Sequence, residues 1–219
     1  MPPKALNDLL TPAERRLFAR LDAPQKIQDW LNRLPVNFEP DGDTVMSPRR
    51  MLAAKAAHCA EGALFAAAVM MFHRRPVWLV DLRARPTDHD HVIAVFKEHG
   101  RWGAISKTNH SILRWRDPIY KSVRELAVSY SHEYCLPSGQ KSLLAFSRPF
   151  SLARYAHSRW VTAEDELHWL MDELDASPHE DVAPKHIRQR RSTKIEIEAQ
   201  GLTEWARPRN RGGRPRKVR

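Results

Sequence analysis

The pattern of apolar and polar positions divides the chain into a helical opening, a strand-rich middle and a helical return. Residues 11–34, "TPAERRLFARLDAPQKIQDWLNRL", begin with Thr then Pro and place Leu17, Phe18 and Leu21, then Ile27, Trp30, Leu31 and Leu34 at helical spacing. This predicts two short helices separated near Pro24. A polar loop rich in turn formers follows, and Ser47 before Pro48 marks the next helical start. Nothing in "MLAAKAAHCAEG" interrupts that helix, so periodicity alone runs it through Cys59, on a face shared with Ala63, Ala66 and Met70. From Pro76 the period becomes that of strands, in "PVWLVDLRA" and then "HVIAVFKEHGRWGAIS", a hairpin around a Gly-containing turn. "DPIYKSVRELAVSYSHEY" predicts a helix capped by Asp117, with Pro118 first and Ile119, Val123, Leu126 and Tyr130 on one face. "TAEDELHWLMDELDAS" predicts another, with Thr162 and Asp165 as an approximate capping box and Leu167, Leu170, Met171 and Leu174 pointing one way. Trp30, Trp78, Trp115 and Trp169 read as core or interface aromatics.

Charge changes this picture at one end. Residues 1–184 carry 24 Lys/Arg against 23 Asp/Glu, while residues 185–219 carry 12 against 3, so the body is near neutral and the end is basic. The expected organisation is one α+β domain over 1–176, then a basic, mainly disordered extension over 177–219. Two cysteines, Cys59 and Cys135, form neither a disulfide framework nor a metal knuckle, which fits a reducing compartment. The start lacks an uninterrupted apolar signal segment, and the longest apolar run, "ALFAAAVMMF", is too short to span a bilayer, so a cytoplasmic protein without membrane attachment is expected. Phosphate-binding glycine loops and GxSxG elbows are absent from the sequence.

A cysteine attacks carbonyls as the thiolate, which needs an imidazole or a helix N-terminus to lower its pKa. His91 opens a strand just after the charged loop "DHD", where it can reach a cysteine at a helix start. In order and spacing, "HCAEGALFAAAVMMFHRRPVWLVDLRA", "HVIAVF" and "GRWGAIS" resemble the core of the transglutaminase-like cysteine proteins, a branch of the papain-like fold, over residues 45–110. The resemblance implies helices packed on a small antiparallel sheet, with Cys59 as nucleophile, His91 as base and Trp102 at the family's aromatic position. It also implies a hydrolase or acyltransferase acting on an amide or ester carbonyl of a peptide or protein, with no cofactor. The chain departs from the family pattern at Ser106, which stands where an aspartate is expected, and in lacking the glycine shortly before the cysteine.

Hairpin register decides which residue stands in for the missing acid. A two-residue loop of His99 and Gly100 sets His91 opposite Thr108 and diagonal to Ser106 on the same sheet face. A three-residue loop that adds Arg101 sets His91 opposite Asn109, and an asparagine orients histidine in papain-like proteases. Both Ser106 and Asn109 are therefore candidates. "DHDH" at 88–91 alternates His89 and His91 on one strand face beside Asp88 and Asp90, but no second pair completes a ligand set, and no metal is expected.

The tail offers a different function class. "RNRGGRPRKVR" contains Gly213-Arg214-Pro215 in a basic frame and resembles the AT-hook, although Gly212 stands where that family has arginine. The resemblance implies Arg214 in the minor groove of A·T-rich DNA, with Arg211, Arg216 and Lys217 on phosphates. The plainer reading is a polycation with weak, sequence-independent affinity for nucleic acid. A non-catalytic scaffold of the same fold, binding a protein or nucleic acid through this tail, is the alternative to an enzyme.

Overall fold

The computed structural model describes residues 2–40, 42–110 and 113–201. Four helices, α1 (Pro2–Leu9), α2 (Pro12–Arg20), α3 (Pro24–Arg33) and α4 (Pro48–Ala54), lead to the central helix α5 (Cys59–Phe72). Thr11 and Glu14 close a reciprocal capping box on α2, and Pro24 starts α3, so the two expected helices form with their break at the expected proline.

The expected single helix through Cys59 is instead two. Lys55 adopts a left-handed backbone (φ 55°) that ends α4, and His58 caps a fresh helix beginning at Cys59. Nearly all of α5 from Ala60 to Met70 is buried, which is why its apolar residues show no preferred face: it lies between the sheet and the opening helices.

The strands are β1 (Val77–Ala84), β2 (His91–Glu98), β3 (Arg101–Ile105), β4 (Arg116–Tyr120), β5 (Leu143–Ser147) and β6 (His179–Asp181). They make one antiparallel sheet in the order β4-β3-β2-β1-β5-β6. Leu79, Ala94, Phe96 and Ile105 pack against α5 on one side, while Val80, Ile93, Val95 and Ala104 face Leu126, Ala127 and Tyr130 on the other. His99 (φ 48°) and Gly100 (φ 77°) form the two-residue turn between β2 and β3, both in the left-handed region that a tight hairpin requires.

Three expectations need correction. Residues 117–120 belong to the edge strand β4 and not to a helix; α6 (Val123–Val128) starts only after Ser122, whose Oγ accepts the Glu125 amide. Proline is tolerated on an edge strand, so pairing with β3 overrides the helical signal of Asp117-Pro118. The helix expected from Thr162 is shorter, α7 (His168–Asp175), because the preceding residues bond elsewhere: the Val45 amide donates to Glu166 (2.7 Å) and the Leu167 amide to the Val45 carbonyl (2.9 Å). Finally, β6 pairs with β5 past the boundary expected at residue 176, and α8 (Lys194–Gly201) lies within the segment expected to be disordered. Arg211, Arg214, Arg216 and Lys217 lie outside the described residues. Among the described residues no helix is long and apolar enough to cross a membrane.

Candidate functional site

Cys59 is the first residue of α5 and half-buried. The first amides of a helix have no intrahelical carbonyl, and the dipole places positive potential there, so the position favours a thiolate. His91, 5% exposed, leads β2, and Ser106, fully buried, follows directly on β3.

Two contacts bring the end of β3 against the start of α5. A Cβ on Gly62 would sit 2.4 Å from the Cβ of Lys107, so only glycine lets the chain pass that close. From the other side Gln28 of α3 clamps Ser106: its Oε1 accepts the Ser106 amide and its Nε2 donates to the Ser106 carbonyl, each at 2.9 Å. The side-chain amide acts there as a substitute strand, satisfying the backbone where β3 has stopped pairing.

The hydroxyl of Ser106 fixes the tautomer of His91. Ser106 Oγ donates to the Leu113 carbonyl at 2.9 Å and therefore accepts from His91 Nε2–H at 2.6 Å. With the proton held on Nε2, Nδ1 keeps its lone pair. The hairpin has the register of the two-residue loop, with Ala94 opposite Ile105, and Ser106 is the partner of His91. Asn109, half-buried, makes no hydrogen bond to His91. Trp102 lies beside Lys97, six positions along β2 from His91, and packs on Trp78 with ring centroids 5.2 Å apart, away from Cys59.

A second imidazole was missed by sequence reasoning. His58 Nδ1 lies 4.0 Å from the Cys59 sulfur, and its Nε2 donates to the Thr44 carbonyl at 2.7 Å and lies 3.3 Å from Glu61 Oε1. Glu61 is fully buried, and its carboxylate accepts from the His58 amide (2.9 Å), Thr44 Oγ1 (3.0 Å), the Met46 amide (3.1 Å) and Asn37 Nδ2 (3.3 Å). The signal was present in the spacing His58-x-x-Glu61, which is that of a capping box. Neutral His58 accepts the Ala60 amide at Nδ1 (3.3 Å); once protonated there, it turns a cation toward the sulfur.

Electrostatics favour the charged arrangement. Burial works against a protonated His58, but hydrogen bonding and charge from Cys59 and Glu61 outweigh it and push its pKa up to about 11. Burial likewise opposes a Cys59 thiolate, yet hydrogen bonds and charge from His58 and His91 hold the thiol well below its ordinary value. Glu61 is lowered, burial being overcome by His58 and the amides around it. A sulfur flanked by two imidazoles, one tied to a buried carboxylate and the other oriented by a hydroxyl, is biased toward its thiolate form.

No protein-family model matches this chain, and a search of curated proteins returns no match.

Proposed function

We propose that the chain is a transglutaminase-like cysteine hydrolase or acyltransferase acting on an amide or ester carbonyl. The observation that carries this reading is the chain of bonds from Leu113 through Ser106 to His91, which leaves Nδ1 of the imidazole as the basic nitrogen beside a thiol at a helix start. In the proposed reaction the Cys59 thiol gives its proton to His91 Nδ1, the thiolate adds to the carbonyl carbon, and the departing amine or alcohol takes that proton from His91 as the tetrahedral adduct collapses to an acyl-thioester. Water, or an acceptor amine, then gives its proton to His91 and attacks the thioester, releasing the acyl product and restoring the thiolate. The Cys59 amide, at the first position of α5 and so without an i−4 carbonyl, is the donor this reading assigns to the developing oxyanion. Ser106 orients the imidazole but adds no negative charge, so the imidazolium formed in the reaction is less stabilised than beside a carboxylate, and slow turnover follows.

The test uses 4-nitrophenyl acetate with the full chain. Release of nitrophenolate together with an acetyl adduct on Cys59, both lost in Cys59→Ser, is expected. Nitrophenolate release that survives Cys59→Ser, or a Cys59 that alkylates no faster than a free thiol, overturns the reading.

A second reading, a polyanion-binding protein, is favoured by an open cleft of about 730 Å³ lined in part by Arg85, Lys141, Arg188, Arg190 and Arg191. With the basic extension beyond it, this predicts duplex-DNA affinity that falls with salt at a log–log slope of roughly −0.9 per phosphate neutralised. A chain ending at residue 184 should lose most of that affinity, and undiminished binding would refute the assignment to the extension.

A further inference from the structure

Away from the cysteine, three aspartates from separate elements converge. Asp81 lies within β1, Asp90 immediately precedes β2 and Asp175 is the last residue of α7; each contributes a carboxylate oxygen to a group lying within 4.8 Å of one another. Asp81 is 1% exposed, and its Oδ1 has no hydrogen-bond partner. A buried carboxylate oxygen left unpaired carries a desolvation cost that native structures avoid unless something else occupies the position.

The side-chain cations near the cluster, His179 and Arg83, stand at its edges. Among the described residues no lysine or arginine makes a salt bridge to the three carboxylates; Arg83 donates to the Asp175 backbone carbonyl at 2.9 Å, and its charge acts on the Asp175 carboxylate from there. Asp81 Oδ2 is held by His179 Nε2 at 3.0 Å, while His179 Nδ1 contacts the Ser177 carbonyl at 2.6 Å, which fixes the ring. Asp90 Oδ1 accepts the Ala84 amide at 2.6 Å, leaving its second oxygen available. Asp175 ends a helix, where the dipole adds negative potential. Three carboxylates this close, one of them buried, repel one another unless a cation lies between them.

We propose that Asp81, Asp90 and Asp175 form a binding site for one hard divalent cation of the Mg²⁺, Mn²⁺ and Ca²⁺ class, with His179 orienting Asp81 from outside the coordination sphere. The all-carboxylate donor set selects oxygen-loving ions over zinc, and the exposed Asp90 and Asp175 leave room for the waters that complete six or more ligands. An imidazole behind a liganding carboxylate is a familiar outer-shell arrangement. Bound there, the ion joins β1, the approach to β2 and the end of α7, and it stabilises the folded chain by mass action.

The experiment uses the full chain after chelator treatment, titrated with Mn²⁺ and read by loss of the free-ion EPR signal and by thermal unfolding. One ion per chain, displaced by excess Mg²⁺ or Ca²⁺ and accompanied by a rise in Tm, is expected. Asp175→Asn, at an exposed position, should weaken binding about tenfold or more without lowering the metal-free Tm. Asp81→Asn, which removes the buried ligand's charge, should weaken it further. The proposal is overturned if wild type binds Mn²⁺ no better than Asp175→Asn, or if Zn²⁺ alone binds while Mn²⁺, Mg²⁺ and Ca²⁺ do not.

Discussion

Replacing His58 by asparagine removes a charge from beside Cys59 while keeping a residue that caps helices well. With the imidazole nitrogen 4.0 Å from the sulfur, a thiolate–imidazolium pair is worth about 4 kcal/mol at an effective dielectric of 20 and about 1 kcal/mol if water screens it fully. Cys59 is half-buried, so the interaction falls between these limits. At 1.36 kcal/mol per pK unit, losing it should raise the midpoint of thiol ionisation by roughly 1 to 3 pH units. The assay is the second-order rate of iodoacetamide alkylation at Cys59 across pH, located by mass spectrometry so that Cys135 does not contribute. A midpoint that moves by less than about 0.3 pH units in a folded His58→Asn chain would show that His58 serves only as a cap, and that His91 and the helix dipole set the thiol.

Gly62→Ala should destabilise the fold by about 1 to 2 kcal/mol in urea unfolding, because overpacking against the Lys107 Cβ, which sits on the backbone and cannot swing away, exceeds the gain of about 1 kcal/mol in helix propensity. Lys107 is 2% exposed, donates to the Leu31 and Leu34 carbonyls, and has its pKa lowered from 10.5 to about 8, by burial first and the Arg114 charge second. The unfolded chain keeps that proton to a higher pH, so stability relative to Lys107→Met should rise between about pH 8 and 10.5, by at most ~3 kcal/mol; a flat difference would contradict a strained buried ammonium. Ser106→Ala removes the acceptor for His91 Nε2–H and should lower kcat for 4-nitrophenyl acetate about tenfold or more, with thiol alkylation at high pH unchanged; equal kcat would deny the hydroxyl its orienting role.

Much of the arrangement is legible in the chain, for identifiable reasons. Strand periodicity and a His-Gly turn locate the β2–β3 hairpin, and its short loop makes Ser106 the neighbour of His91. The start of α5 is harder, since "MLAAKAAHCAEG" contains neither proline nor a glycine at the break; the interruption comes from a left-handed Lys55 and from the buried Glu61 that reaches back to the His58 amide. Asp117-Pro118 imitates a helix start, whereas the true start, Ser122 with Glu125 three residues on, lies inside the same apolar period. No strand is expected at β5 or β6, each only a few residues long and dependent on a neighbour brought from elsewhere in the chain. Asp81, Asp90 and Asp175 are single residues with no shared spacing, and only the packing of α7 on β1 unites them.

The amide clamp of Gln28 on Ser106 joins positions 78 residues apart. During synthesis Gln28 is made first and has no counterpart until the hairpin has closed and docked beneath the opening helices. Contacts of such sequence separation form late, after the loop entropy between them has been overcome. The hydroxyl that orients His91 is therefore placed only when both ends of this span have met. Chain segments that hold Cys59 but have yet to complete that meeting have no oriented His91 beside it, so the base of the site is tied in time to the completion of folding.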